Sequence, residues 1–150
     1  MLWGHASCWP AVPRRPSPPG AYPFRAYDEG LSQAQEQDKE IFLYVGREGC
    51  AFCERTNQET FSDAEIKERF TDHYGLVYVD SEGADRLRLP SGERVTARER
   101  GSRLEVVGTP LFAMLDPEGT ALFRMPGFKT VGQFKRMDRY IQSGAYRDQP

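Results

Sequence analysis

"EIFLYVGREGCAFC", residues 40–53, is the stretch from which the rest of the chain can be read. Its apolar run, Ile41 to Val45, is too continuous for a half-exposed strand. It predicts a central strand over 40–45, buried on both faces. "GREG" breaks the run, and Cys50 and Cys53 follow, in a chain whose one other cysteine is Cys8. Three chemistries fit two cysteines so placed: a redox dithiol, half of a zinc site, or a pair of inert core side chains.

Upstream, Tyr27, Leu31 and Ala34 recur at helical spacing and predict an amphipathic helix over 26–38, which Gly30 weakens slightly. Before it, residues 1–23 carry Pro10, Pro13, Pro16, Pro18, Pro19 and Pro23. Such a segment holds neither a helix nor a central strand, so 1–23 reads as a disordered or loosely draped tail and 24–147 as the folded domain.

Downstream, "ERTNQETF" lacks helix breakers, and "SDAE", Ser62 to Glu65, reads as a capping box for a further helix to about Phe70. "LVYV" at 76–79 is the next strand. "RLRLPSGERV" predicts a short hairpin around Ser91–Gly92, and "TARE", Thr96 to Glu99, a capped helix to about Leu104. "LFAML" (111–115), "DPEG" and "TALFR" (120–124) form an antiparallel hairpin. Thr130 caps a last helix with Val131, Phe134, Met137 and Ile141 on one face, and Gly144 stops it. The order predicts an α/β fold: a mixed central sheet with helices on both faces.

At 150 residues, 39% hydrophobic and 28% charged, the chain fits one soluble globular domain. Its net charge of −2 argues against a nucleic-acid partner. Basic residues gather between Arg86 and Arg103, but Glu93, Glu99 and Glu105 interrupt them, and the stretch reads as a solvated mixed-charge surface. No run approaches the ~20 apolar residues of a membrane span. Residues 1–31 show no apolar stretch of export-signal type. Zinc wants four ligands, and the remaining candidates, His5, Cys8 and His73, form no spaced motif, so no metal or cofactor is expected.

The position of the pair, where a buried strand ends and a helix begins, favours the redox reading. Unpaired N–H groups and the dipole at a helix start stabilise an anion, so a Cys50 thiolate forms more easily than at the usual pKa of ~8.5. Cys53, one turn on, faces the same side and can attack a mixed disulfide at Cys50. The second feature is "VGTP", Val107 to Pro110, whose proline belongs at the start of strand 111–115.

"GCAFC" after a buried strand, "VGTP" before the hairpin and "PGF" (126–128) before the last helix resemble the thioredoxin family. "ETFSDAEIKERF", "DPEG" and "YIQSGAYR" resemble in particular the exported thioredoxins related to SoxW and the thioredoxin-like domain of thiol:disulfide interchange proteins. The resemblance spans about residues 25–147. It implies a thioredoxin-like fold, with Cys50 attacking and Cys53 resolving. It implies a cis Pro110 against the pair, and Thr109 offering its backbone to an extended peptide, with Phe52 beside it as a substrate contact. It implies protein disulfide or dithiol substrates, an upstream thiol donor, a monomer, and a periplasmic setting, although no signal is visible and the sequence as it starts reads as cytoplasmic. Tyr44 departs from the family, standing where its members carry a buried acid. Two functions are therefore expected: a thiol–disulfide oxidoreductase working as a reductant, or a non-catalytic module that binds extended peptides or serves a larger assembly. The first requires Cys50 to lie uncovered at the helix tip.

Overall fold

A computed structural model describes residues 18–20, 22–83, 86–89, 91–103 and 108–148. The chain builds α1 (Tyr27–Gln37), β1 (Ile41–Gly46), α2 (Ala51–Glu59), α3 (Ala64–His73) and β2 (Gly75–Asp80). The small hairpin β3 (Arg86–Arg88) and β4 (Arg94–Thr96) follows, then α4 (Ala97–Arg103). The hairpin β5 (Leu111–Leu115) and β6 (Ala121–Pro126), α5 (Val131–Gln142) and a closing 3-10 turn at Ala145–Asp148 complete it.

The main sheet runs β2-β1-β5-β6. β1 is parallel to β2 and antiparallel to β5, so it is central and every one of its residues is buried. Alternation then sorts its side chains into two cores. Ile41, Leu43 and Val45 join Leu111, Ala113 and Leu115 of β5 beneath α1 and the β3–β4 hairpin. Phe42 and Tyr44 join Phe112 and Met114 on the other face, with Phe61, Phe70 and Phe134. Phe42 alone meets the rings of Phe61, Phe70, Phe112 and Phe134 at 4.9–6.2 Å. This mixed α/β sandwich has the thioredoxin-like architecture that the sequence predicts.

Several local expectations need amending. Asp63, not Ser62, caps α3, accepting the Ile66 N–H at 3.0 Å, and the helix runs on to His73. Gly30 is a packing requirement rather than a weakness: a Cβ there would lie 2.3 Å from Cγ2 of Val77, so its absence lets α1 seat on β2. On α5, Phe134, Met137 and Ile141 are buried as predicted, and so is Asp138, at 2% exposure. Tyr22, read as part of the tail, is buried against Phe24 and Phe61. Residues 1–17, with His5 and Cys8, lie outside the described residues, as do Leu104 and Val107.

Thr96 and Glu99 form the predicted reciprocal cap of α4. Thr130 and Gln133 do the same for α5. Arg25 bridges to Val77, its N–H donating to the Leu76 carbonyl, and so covers the outer edge of β2.

Candidate active site

The loop after β1 turns through Gly49, whose φ of 72° is one that side-chain-bearing residues rarely adopt. Cys50 is then the N-cap of α2, with extended backbone, and its sulfur accepts the Cys53 N–H at 3.1 Å. Cys50 and Cys53 form a disulfide, their Cα atoms 5.2 Å apart. The sulfur thus sits at the N-terminal end of a nine-residue helix, where free amides and the dipole favour negative charge.

The tip position agrees with the sequence, but the exposure does not. Cys50 is 3% exposed and Cys53 6%. Both cysteines, bonded to each other at the first turn of α2, join the aromatic core on that face. Phe52, between them, points the other way and is 58% exposed, the most exposed large apolar side chain among the described residues.

Topology brings the second motif to the same end of the sheet. β1 and β5 are antiparallel neighbours with Val45 opposite Leu111, so the loop leaving β1 and the residues entering β5 emerge together. There the Thr109–Pro110 bond is cis. Pro110 is buried and Thr109 half-buried, with its hydroxyl buried and unpartnered. Among the described residues the Thr109 backbone makes no hydrogen bond.

A third segment, the "PGF" turn, ties these parts together. The Gly127 N–H donates to the Pro110 carbonyl at 2.9 Å. The Arg55 guanidinium of α2 lies 4.3 Å over the Phe128 ring. Thr60, at the end of α2, donates its hydroxyl to the Lys129 carbonyl. Arg55 also pairs with Glu59, and Arg47 and Glu48 are exposed in the loop.

Beneath the disulfide stands Tyr44, 1% exposed. Its phenol donates to Asn57 Oδ1 at 3.0 Å and approaches the Cys53 carbonyl at 3.4 Å. Burial holds its pKa above the ordinary tyrosine value, and the Asn57 contact only partly offsets this. The group therefore stays protonated at neutral pH and cannot accept a proton from a thiol. Tyr78 packs edge-on to it at 5.1 Å, and the Tyr78 hydroxyl occupies the space over Gly46, 2.7 Å from where a Cβ would be. Sequence reasoning missed Asn57 and Tyr78. Asn57 was within reach, lying one helical turn after Cys53.

His73 is engaged elsewhere, with Nδ1 2.9 Å from Asp138. No three His, Cys, Asp or Glu side chains converge as a metal site would need, among the described residues.

Residues 27–142 match the family model described as a thioredoxin-like domain. A thioredoxin-fold protein from Helicobacter pylori superposes with a TM-score of 0.66 at 23% identity, covering 76% of this chain and 75% of that one. A thioredoxin from Thermus thermophilus gives 0.64 at 23% identity, over 80% and 86% of the two chains. A protein described as DsbH oxidoreductase gives 0.61 at 21% identity, over 91% and 96%. An uncharacterized protein of Archaeoglobus fulgidus is 34% identical over 56 residues, 37% of this chain; the match spans 44% of that relative's length.

Proposed function

The chain belongs to the thioredoxin-like domain family, and on that premise we propose that it is a thiol–disulfide oxidoreductase acting on protein disulfides, as a reductant. The carrying observation is the Cys53 N–H directed at the Cys50 sulfur, at 3.1 Å, on the first turn of α2. That amide stabilises a Cys50 thiolate by a charge-assisted hydrogen bond.

The reduced protein attacks one sulfur of a substrate disulfide through the Cys50 thiolate. A Cys50–substrate disulfide forms and the other substrate sulfur leaves as a thiolate. Cys53, deprotonated, then attacks the Cys50 sulfur, closes the intramolecular disulfide and releases the second substrate thiol. Two electrons pass to the substrate, and an upstream dithiol restores the pair. The unpaired Thr109 backbone offers an extended substrate segment one strand's worth of hydrogen bonds, and the exposed Phe52 offers it an apolar contact. In this reading the protein acts as a monomer in an exported compartment, as the subgroup resemblance implies.

Insulin reduction with dithiothreitol tests the reading. Wild-type protein should accelerate turbidity, and Cys50→Ser should not; equal rates for the two would end it. With Cys53→Ser, mixed disulfides at Cys50 should accumulate under mild oxidation.

The oxidoreductase reading needs an uncovered Cys50 when the protein is reduced; its 3% exposure in the disulfide-bonded form runs against that and favours a second reading, a non-catalytic module that binds extended peptides at Thr109. Iodoacetamide alkylation of the reduced protein across pH separates the two. A Cys50 that alkylates slowly, with an ordinary thiol pKa, supports the binding module.

A further inference from the structure

The β3–β4 hairpin carries charge in an arrangement that the described residues do not neutralise. Leu87 and Val95 face each other and are buried, at 8% and 3% exposure. Alternation along the two short strands therefore turns Arg88 and Arg94 outward, and the register sets them directly opposite each other. Like charges facing across a ladder destabilise the pair. Arg98, on the first turn of α4, is exposed as well.

Two arginines of this region, Arg103 and Arg100, have partners. Arg103 makes a two-pronged pair with Glu93, at 2.8 and 2.9 Å. Arg100 donates to the Gly119 carbonyl at 3.2 Å and lies over the Tyr27 ring. Arg88, Arg94 and Arg98 have no side-chain partner among the described residues. They stand in a segment, Arg86 to Arg103, with six arginines and two glutamates, within a chain of net charge −2. Beside Arg88 a groove of about 210 Å³ runs between α1 and the hairpin, with Leu31 and Leu89 at its floor and Ser32 and Gln35 along its wall. Asp28, also on this wall, is occupied by the Arg88 backbone N–H at 2.6 Å.

We propose that the outer face of the β3–β4 hairpin, with Arg88, Arg94 and Arg98, is a docking surface for an acidic segment of a partner protein. Two unpaired guanidinium groups set side by side by the register, with a third exposed on the adjoining helix, suit carboxylates, which each can hold with paired N–H donors. The adjoining groove takes an apolar side chain of the same segment. The sequence reading of this stretch as an ordinary mixed-charge surface overlooks the register, which concentrates the unpaired charge. The hairpin packs on the sheet face opposite the one that holds Cys50 and Cys53, so a docked segment does not lie over the disulfide. The inference rests on the redox reading only for the identity of the partner as a disulfide substrate or thiol donor.

Fluorescence anisotropy of a labelled Glu-rich decapeptide with the oxidised full chain tests it, beside a Gln-rich peptide of equal length and a short DNA duplex. The Glu-rich peptide should bind at low salt and weaken as salt rises to about 0.3 M. Arg88→Glu/Arg94→Glu should weaken it at least about tenfold, and Arg88→Lys/Arg94→Lys should keep most of the binding. Thermal unfolding and insulin turnover of the reversed variant should match the wild type, since both side chains point to solvent. Unchanged affinity in the reversed variant, equal binding of the Gln-rich peptide, or tighter binding of the duplex would each overturn the proposal. Loss of peptide binding leaves the redox reading standing, and a protein inactive toward insulin that still binds the peptide loses only the redox reading.

Discussion

The Tyr44 phenol donates to Asn57 Oδ1 at 3.0 Å, locking the last third of α2 to the central strand directly below the disulfide. The same hydroxyl lies 3.4 Å from the Cys53 carbonyl. A proton-bearing group that cannot ionise near neutrality thus supports Cys53, the resolving cysteine of the proposed function, and its role there is positional rather than acid–base. Tyr44→Phe should therefore cost about 1 kcal/mol of stability, with Asn57 losing a buried partner. It should leave the pH dependence of mixed-disulfide resolution unchanged. Urea unfolding of the oxidised variant and stopped-flow resolution across pH check both. Tyr44→Asp should instead add a new ionisation to that profile.

Gly30 and Val77 make a second pair. In an exposed helix Gly→Ala stabilises by about 1 kcal/mol. Here the added methyl would meet Val77 Cγ2 at 2.3 Å. Gly30→Ala should be destabilising by about 1–3 kcal/mol. Combined with Val77→Ala it should cost clearly less than the two single changes added together, and a double-mutant cycle by chemical denaturation reads that coupling.

The buried carboxylate of Asp138 receives the Tyr74 hydroxyl at 2.6 Å and His73 Nδ1 at 2.9 Å, with Arg69 at 3.5 Å. It joins α5 to the end of α3. Asp138→Ala leaves a buried phenol without its acceptor and should cost about 3 kcal/mol. His73→Ala, removing a group one-third exposed, should cost less. Thermal and urea melts of both variants check the order.

Tyr22, Tyr44, Tyr74 and Tyr78 all have pKa values raised above 10, in each case first by burial. Above the unfolded tyrosine pKa of ~10 the unfolded chain gives up these protons while the folded chain keeps them. The folded state then binds more protons, so stability falls as pH rises. The contribution is complete below pH ~10 and is lost progressively above it. Unfolding free energy measured from pH ~8 to ~12 should decline with steepening slope, and phenolate absorbance should rise sharply on unfolding.

The mixed sheet, the succession of its elements and both helical layers were legible because β1 and β5 are unbroken apolar runs, and because Thr96 and Thr130 are caps; the strand order β2-β1-β5-β6 was not. The cysteine pair and Thr109–Pro110 were legible as motifs at the ends of those strands. What escaped depends on tertiary distance. Asp138 reads as an outward polar residue until α3 delivers Tyr74 and His73 to it. Gly30 reads as a weak helix residue until Val77 fills its space. The burial of Cys50 within the aromatic core of that face is a tertiary matter, which no spacing encodes. Ser62 and Asp63 both satisfy capping chemistry, and only the backbone path chooses the second.

Cys50 serves α2 as its N-cap, and in the proposed function it also carries the attacking sulfur. Helix order and nucleophilicity are then two readings of a single equilibrium. Whatever frays that first turn, whether warmth, a denaturant or a bulky loop variant, withdraws the amide from the sulfur and makes the thiol more basic. Inactivation on heating should accordingly set in before the molecule melts, as a local loosening that reverses on cooling.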